Sequence, residues 1–362
     1  MRILVTGAFG FVGSNLSAYL AQRGHVLIAL DVTQRENPAY GDFYTWEELE
    51  RIPWGEVDAV VHLAGKAHDT RNTSDPKRYF DVNVGLTKKV MEAMGKKEDG
   101  TTKNTKGTEV GGQCGLVVSR QDAKAQRKEN SSIPSKKFIF FSSVKAVADR
   151  VEGVLTEEVV PDPKTPYGQS KLEAEKAVQS AIGNRQSAIK SYILRPCMIH
   201  GPGNKGNLNL LYGLVKKGLP WPLGTFENKR SFASIGNVCA VVEGVLKGDV
   251  ESGVYQVADD EALSTNELVG LMAESLGRKA KVWKISVACV RALARIGDML
   301  RLPLNSERLT KLTESYVASN AKIKAALGWE HMPVDARDGM RRTLMSFETT
   351  KHKKHRGDRR AP

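Results

Sequence analysis

The chain has 362 residues, 41% of them hydrophobic, enough for one large or two modest domains around a substantial core. It holds no run of about 20 apolar residues, which excludes a membrane-spanning helix, and because its first residues already read as a strand, no signal peptide is expected. The formal net charge of +13 raises nucleic acid as a partner, but residues 95–137 and the tail 351–362 each carry a net +5 and so hold ten of those charges. No nucleic-acid motif accompanies them, and nucleic-acid binding is not expected.

Met1 to Thr6 reads as a buried strand that runs into Gly7-Ala8-Phe9-Gly10-Phe11-Val12-Gly13 and then a helical pattern from Ser14 to Ala21. Glycines at 7, 10 and 13 permit a tight turn, close approach of a pyrophosphate, and close helix–strand packing. The helix start offers free N–H groups to the phosphates. A second strand, Val26–Leu30, ends at Asp31, about 20 residues beyond the glycines, where an acid holds the ribose hydroxyls of NAD and repels the 2′-phosphate of NADP.

The run from Val57 to Gly65 is another buried strand ending in small residues that let a cofactor lie against the backbone. His62 reads as a packed strand residue, and His68 as a surface loop position. Asn83 is expected to open the following helix, as a cap or as a residue steadying a catalytic water. Between a helix ending near Met94 and a strand at Phe138 lie some forty residues where two to six suffice in a βαβ unit. Residues 95–136 therefore read as a disordered surface insertion.

Phe138–Ser143 is the next strand end, followed by Tyr167-Gly168-Gln169-Ser170-Lys171 at the head of an apolar-periodic helix reaching about Ile182. Tyr167 and Lys171, four apart, fall on one helix face. An ammonium near the phenol is expected to lower its pKa toward neutrality, and Ser143 adds a hydroxyl that donates and accepts. This trio moves a proton at an alcohol or ketone; a hydride needs a cofactor.

Ser191–Pro196 forms a further strand, leading to the turn-rich loop His200–Asn207 at its carboxyl end, where ligands of open α/β sheets bind. Arg230 suits bidentate contact with a phosphate. A helix over Asn237–Leu246 and a strand over Val254–Ala258 follow. Helices over Leu268–Leu276, Val287–Leu300 and Ala321–Leu327 read as a smaller lobe. Val287–Leu300, with Arg291 and Arg295 and followed by Arg301, reads as a core-facing helix, a membrane-surface helix being the alternative. Four scattered cysteines (Cys114, Cys197, Cys239, Cys289) lack metal-ligand spacing; reduced thiols in a cytoplasmic protein and no metal site are expected.

The segments TGAFGFVG, VVHLAG, FFSSV, YGQSK, LRPCMIHGPG, RSF and AKIKAALGW, in this order, resemble the extended short-chain dehydrogenase/reductases, in the NAD-dependent epimerase/dehydratase branch. The resemblance implies an α/β doubly wound parallel (Rossmann) sheet over residues 1–201 plus 236–258. A smaller C-terminal substrate lobe would span 202–235 plus 259–348, with a disordered basic tail from 349 to 362. It makes Tyr167 the acid/base, Lys171 its partner and ribose ligand, and Ser143 the holder of the reacting oxygen. Gly7, Phe9, Gly10, Phe11, Gly13, Asp31, Leu63, Ala64, Gly65 and Asn83 become NAD contacts beside Tyr167 and Lys171. Asn207 and Arg230 match positions that hold a nucleotide diphosphate; Arg308 is a guess at a second phosphate arginine.

Val144-Lys145 stand where sugar dehydratases of this family carry Asp-Glu, which sets dehydration aside. A UDP-hexose 4-epimerase is the reading adopted. The alternatives are a 4-keto-sugar reductase of polysaccharide biosynthesis using NAD(P)H and, third, a non-catalytic NAD-binding protein. A homodimer is left open.

Overall fold

The computed structural model of the protein describes residues 1–67, 75–101, 135–183, 189–204, 206–300 and 305–357. Its centre is a seven-stranded parallel sheet: β1 (Arg2–Thr6), β2 (Val26–Leu30), β3 (Asp42–Tyr44), β4 (Ala59–His62), β5 (Lys137–Phe141), β7 (Lys190–Pro196) and β10 (Gly253–Val257). They lie in the order β3-β2-β1-β4-β5-β7-β10. β1 pairs with β2 on one side and with β4 on the other, so the strand order reverses there and opens a ligand crevice at the carboxyl ends.

Alternation of side chains along the strands fills both faces with apolar residues, as a sheet covered on both sides requires. Ile3 and Val5 point into one cluster with Leu16 and Leu20 of α1 (Phe11–Ala21) and Val241 and Val245 of the later helix Ile235–Lys247. Leu4 points the other way, into a cluster with Val90 and Met91 of α2 (Pro76–Thr101) and Ala174 and Val178 of α3 (Pro166–Gly183). α2 and α3 also pack against each other, which brings Asn83 to the helix carrying Tyr167 and Lys171.

The remaining helices gather around two further apolar clusters. They are α4 (Asn207–Lys216), α6 (Thr265–Ser275), α7 (Val287–Leu300), α8 (Ser306–Thr313) and α10 (Ala336–Gly357); Ile235–Lys247 is α5 and Ala321–Leu327 is α9. Two short parallel pairs tie this lobe to the sheet: β8 (Met198–His200) with β9 (Phe232–Ser234), and β6 (Val154–Leu155) with β11 (Val317–Ala318). A buried polar cluster reinforces the junction. His200 Nδ1 lies 2.8 Å from Thr343 Oγ1 of α10, and Asp259 accepts from the Ser234 amide and, at 2.7 Å, from Asn237 Nδ2.

Two boundaries differ from the sequence expectation. α2 runs on to Thr101, so the first residues of the expected insertion continue the helix; residues 102–134 lie outside the described residues. α10 runs on to Gly357, past the expected start of a disordered tail, and residues 358–362 lie outside the described residues. In both places a nucleated helix continues, gaining one hydrogen bond per added residue; Lys96–Glu98 and Lys351–Arg356 contain good helix formers, whereas Gly95, Asp99 and Gly100 are weak ones.

Candidate active site

β1 ends at Thr6 and the chain turns at Gly7, whose φ of +65° suits glycine. A Cβ on Gly7 would sit 2.8 Å from the Ala64 nitrogen, and one on Gly13 would sit 2.4 Å from the Ala8 carbonyl oxygen. Both must be glycine for the loop to lie this close to β4 and to α1. Gly10 caps α1 with no side chain, leaving the space before the first helical amides clear. Asp31 does more than end β2: its carboxylate accepts from the Phe9 amide at 2.9 Å and the Val32 amide at 2.8 Å, clasping the glycine loop. Beside it lies a cavity of about 270 Å³ lined in part by Phe9, Arg35, Tyr40 and Phe43. The Phe11 ring packs toward Gly201 and Gly203, and Asn15 Nδ2 donates to the Pro202 carbonyl at 3.1 Å.

On the other side of the crevice, Ala64 donates to Thr6 Oγ1 at 3.0 Å, which binds the β4 end, with Leu63 and Gly65, to the glycine loop. Gly65 is where three elements converge: a Cβ there would lie 2.9 Å from Asn83 Oδ1 and 3.1 Å from Lys171 Nζ. Asn83 is buried two turns inside α2. It is not a helix cap: Oδ1 accepts from the Lys66 amide at 2.8 Å and Nδ2 donates to Ser170 Oγ at 2.9 Å. The helix opens instead at Asp75-Pro76, with Asp75 Oδ1 accepting from the Lys77 amide at 3.0 Å.

α3 carries Tyr167 and Lys171 one turn apart, as their spacing predicts. The phenol is hydrogen-bonded to Ser143 at the end of β5, and the Tyr79 ring stands edge-on to it at 6.1 Å. Burial raises the phenol pKa above its ordinary value, and the influence that lowers it is the Ser143 hydrogen bond. This corrects the expected depression by Lys171, whose ammonium is directed at the Phe141 carbonyl, 2.9 Å away. Burial draws Lys171 itself down to about 8, with Glu175 acting in the opposite direction.

Glu175, one turn beyond Lys171 on the same helix face, was not singled out from the sequence, although its i, i+4 spacing from Lys171 is legible. It forms a buried fork with Arg195 of β7, at 2.9 Å (Nε) and 2.6 Å (Nη2), and also accepts from Ser142 Oγ. His62 is a core residue, as read: its ring nitrogens lie 2.8 Å from Thr6 Oγ1 and 3.0 Å from Thr87 Oγ1, it stacks on Phe138 and Phe140, and burial draws it to about 3. His68 lies outside the described residues, as does the Arg308 side chain.

Arg230 is half-buried rather than a surface arginine. Nε donates to the Glu314 carbonyl at 3.2 Å, and its backbone bridges to Leu263 and Tyr316. The Lys145 ammonium lies 4.0 Å from the centre of the Tyr316 ring and within electrostatic reach of Arg230, with the Asp149 and Glu314 carboxylates also near. Asn207 is the exposed first residue of α4. None of its described contacts reaches Tyr167. Among the described residues no group of His, Cys, Asp and Glu could hold a metal ion.

Residues 3–258 match the model of the NAD dependent epimerase/dehydratase family. The chain belongs to that family. Its curated relatives include both epimerases and a reductase. UDP-glucose 4-epimerase of Vibrio cholerae is 27% identical over 360 residues, covering 95% of both chains. The N-acetyl-α-D-glucosaminyl-diphospho-ditrans,octacis-undecaprenol 4-epimerase of Escherichia coli O157:H7 is 28% identical, covering 77% of this chain and 73% of the relative. Among solved structures, the NAD complex of Thermus thermophilus UDP-glucose 4-epimerase superposes with a TM-score of 0.66 at 23% identity, over 96% of this chain and 99% of that one. The protein is thus an NAD-dependent enzyme on a Rossmann sheet, and no helix among the described residues is long and apolar enough to cross a membrane.

Proposed function

We propose that this member of the NAD-dependent epimerase/dehydratase family inverts a carbinol, C4 of a UDP-linked hexose, by reversible oxidation. The observation that carries the reading is the convergence of Gly65, Asn83 and Lys171 beside a hydrogen-bonded Ser143–Tyr167 pair, at the carboxyl ends of β4 and β5. The cleft fits a dinucleotide. Gly7, Gly10 and Gly13 would give the pyrophosphate its approach to the backbone, and Asp31 would take the ribose hydroxyls and disfavour a 2′-phosphate. Phe9 and Phe11 would border the cofactor, Leu63, Ala64 and Gly65 would line its path, and Tyr167 and Lys171 would reach its nicotinamide half, with Asn83 holding Gly65 and Lys66 in place. When bound, NAD accepts the carbinol hydride and returns it.

The chain's own residues handle the proton. Ser143 donates to the reacting oxygen and orients it. Tyr167, as phenolate, takes the hydroxyl proton as the carbinol becomes a ketone, and gives it back when the ketone is reduced on its other face. The influence that eases ionisation of the phenol is the Ser143 hydrogen bond, while Lys171, charged below about 8 and held by the Phe141 carbonyl, would bind the nicotinamide ribose. Arg230 and Asn207 would hold the diphosphate, an anion common to a nucleotide sugar and to the polyprenol-linked sugar named for the E. coli relative.

The test is incubation of the purified protein with UDP-glucose, UDP-galactose and their N-acetylated counterparts, without added cofactor, following interconversion. Turnover unaided, abolished by Tyr167→Phe with NAD binding nearly intact, is the expected result. Full activity in that variant would refute the mechanism. Turnover only with added NADH or NADPH and a 4-keto sugar would assign the reductase instead.

A further inference from the structure

The helix α7 is built with three faces rather than two. Val290, Ala294 and Gly297, spaced at i, i+4 and i+7, are buried against the lobe, where Val290 and Ala294 share a cluster with Trp221, Leu223, Val269 and Leu309. Leu293, Ile296 and Leu300 recur at helical spacing on a second side, and they are exposed at 53%, 45% and 57%, with Met299 at 77%. Just before the helix, Trp283 is 56% exposed. The third side is cationic, with Arg291 and Arg295 both exposed.

The charge of the segment that leads into and forms this helix is one-sided. Residues 278–300 contain Arg278, Lys279, Lys281, Lys284, Arg291 and Arg295 against a single acid, Asp298. Asp298 is engaged, accepting from the Ser306 amide at 2.9 Å and from the Ser306 hydroxyl. Among the described residues, Lys279, Lys281, Lys284, Arg291 and Arg295 enter no side-chain ion pair, although surface cations elsewhere, such as Lys216, Lys324 and Arg337, do. An apolar strip with an exposed tryptophan and a border of uncompensated cations is the pattern of a helix lying in the plane of an anionic bilayer surface.

We infer that α7, with Trp283 and the cations around it, docks the C-terminal lobe on an anionic lipid surface. Val290, Ala294 and Gly297 hold the helix to the protein. Leu293, Ile296, Met299 and Leu300 enter the boundary between headgroups and acyl chains, while the lysines and arginines meet lipid phosphates. This makes the protein peripheral to a membrane. The inference stands on this surface alone and does not depend on the reaction proposed above.

Sedimentation of the full-length protein with vesicles of phosphatidylglycerol and phosphatidylcholine, against pure phosphatidylcholine, tests it. Binding to the first and not the second is expected, weakened by added salt. Leu293→Glu/Ile296→Glu should reduce the bound fraction about tenfold or more, and Arg291→Gln/Arg295→Gln less steeply. All four positions are exposed, so turnover and thermal unfolding should be unchanged, which reports that the variants are folded. The six basic residues of the tail 351–362 remain in every variant, so binding that survives the Leu/Ile double would belong to the tail and overturn the inference. Absence of vesicle binding by the unaltered protein would overturn it too. So would a change of the Leu/Ile double from dimer to monomer in sedimentation velocity without loss of lipid binding, which would assign the face to a second copy.

Discussion

Replacing Lys171 by methionine should abolish turnover while making the protein more stable. Lys171 is almost fully buried, and burial brings its pKa from 10.5 to about 8. That lowering corresponds to roughly 3 kcal/mol by which the folded state disfavours the ammonium. Methionine keeps the length of the stem without the charge and loses one hydrogen bond to Phe141, at 2.9 Å, which contributes about 1 kcal/mol. The net gain is about 2 kcal/mol at pH 7, a rise of several degrees in Tm. The pH dependence has a definite sign. Below about 8 the group is charged in both states and the penalty is complete. Between about 8 and 10.5 the unfolded chain binds more protons than the folded one, so the unaltered protein gains stability as pH rises. The advantage of the variant should therefore shrink across that window. Urea unfolding of both proteins at neutral and alkaline pH, alongside turnover, is the measurement. A variant less stable than the parent at pH 7 would show that the ammonium holds the site together by contacts that outweigh its desolvation.

Glu175→Gln breaks a buried fork with Arg195 and leaves a guanidinium without its counter-charge, which should destabilise the fold by about 3–5 kcal/mol. It also removes the group that supports the charge on Lys171, so the alkaline limb of the kcat/KM profile should move to lower pH; an unmoved limb would show that Glu175 is structural only. Gly65→Ala would place a methyl 2.9 Å from Asn83 Oδ1 and 3.1 Å from Lys171 Nζ, and NAD affinity measured by fluorescence titration should fall at least about tenfold as the loop shifts. Asp31→Ala should weaken NAD about tenfold while improving the ratio of NADP to NAD affinity, because a carboxylate repels the 2′-phosphate; an unchanged ratio would place the ribose elsewhere.

Much of this was legible from residue order. The strand–glycine–helix–strand–acid sequence at the start, the Tyr167 and Lys171 spacing, and Val287–Leu300 and Ala321–Leu327 were all visible, because period and turn chemistry are local. Asn83 was misread since its partners, Lys66 and Ser170, are set by the packing of α2 on α3, and no local pattern shows which side chain meets which across two helices. The direction of the Tyr167 shift was misjudged for a related reason. Spacing placed an ammonium on the same face, but only the fold shows that the ammonium turns to Phe141 and that Ser143 is the group acting on the phenol. The pairs β6–β11 and β8–β9 were invisible because two or three residues carry no periodicity.

The clasp between the Phe9 amide and Asp31 has a meaning for how long the cofactor stays. A loop already shaped by its own acid needs little further ordering when a dinucleotide arrives, so affinity is not eroded by freezing mobile backbone. On the epimerase reading proposed above, in which the hydride lent to the cofactor returns from it, such preorganisation would favour keeping the dinucleotide bound between the two half-reactions.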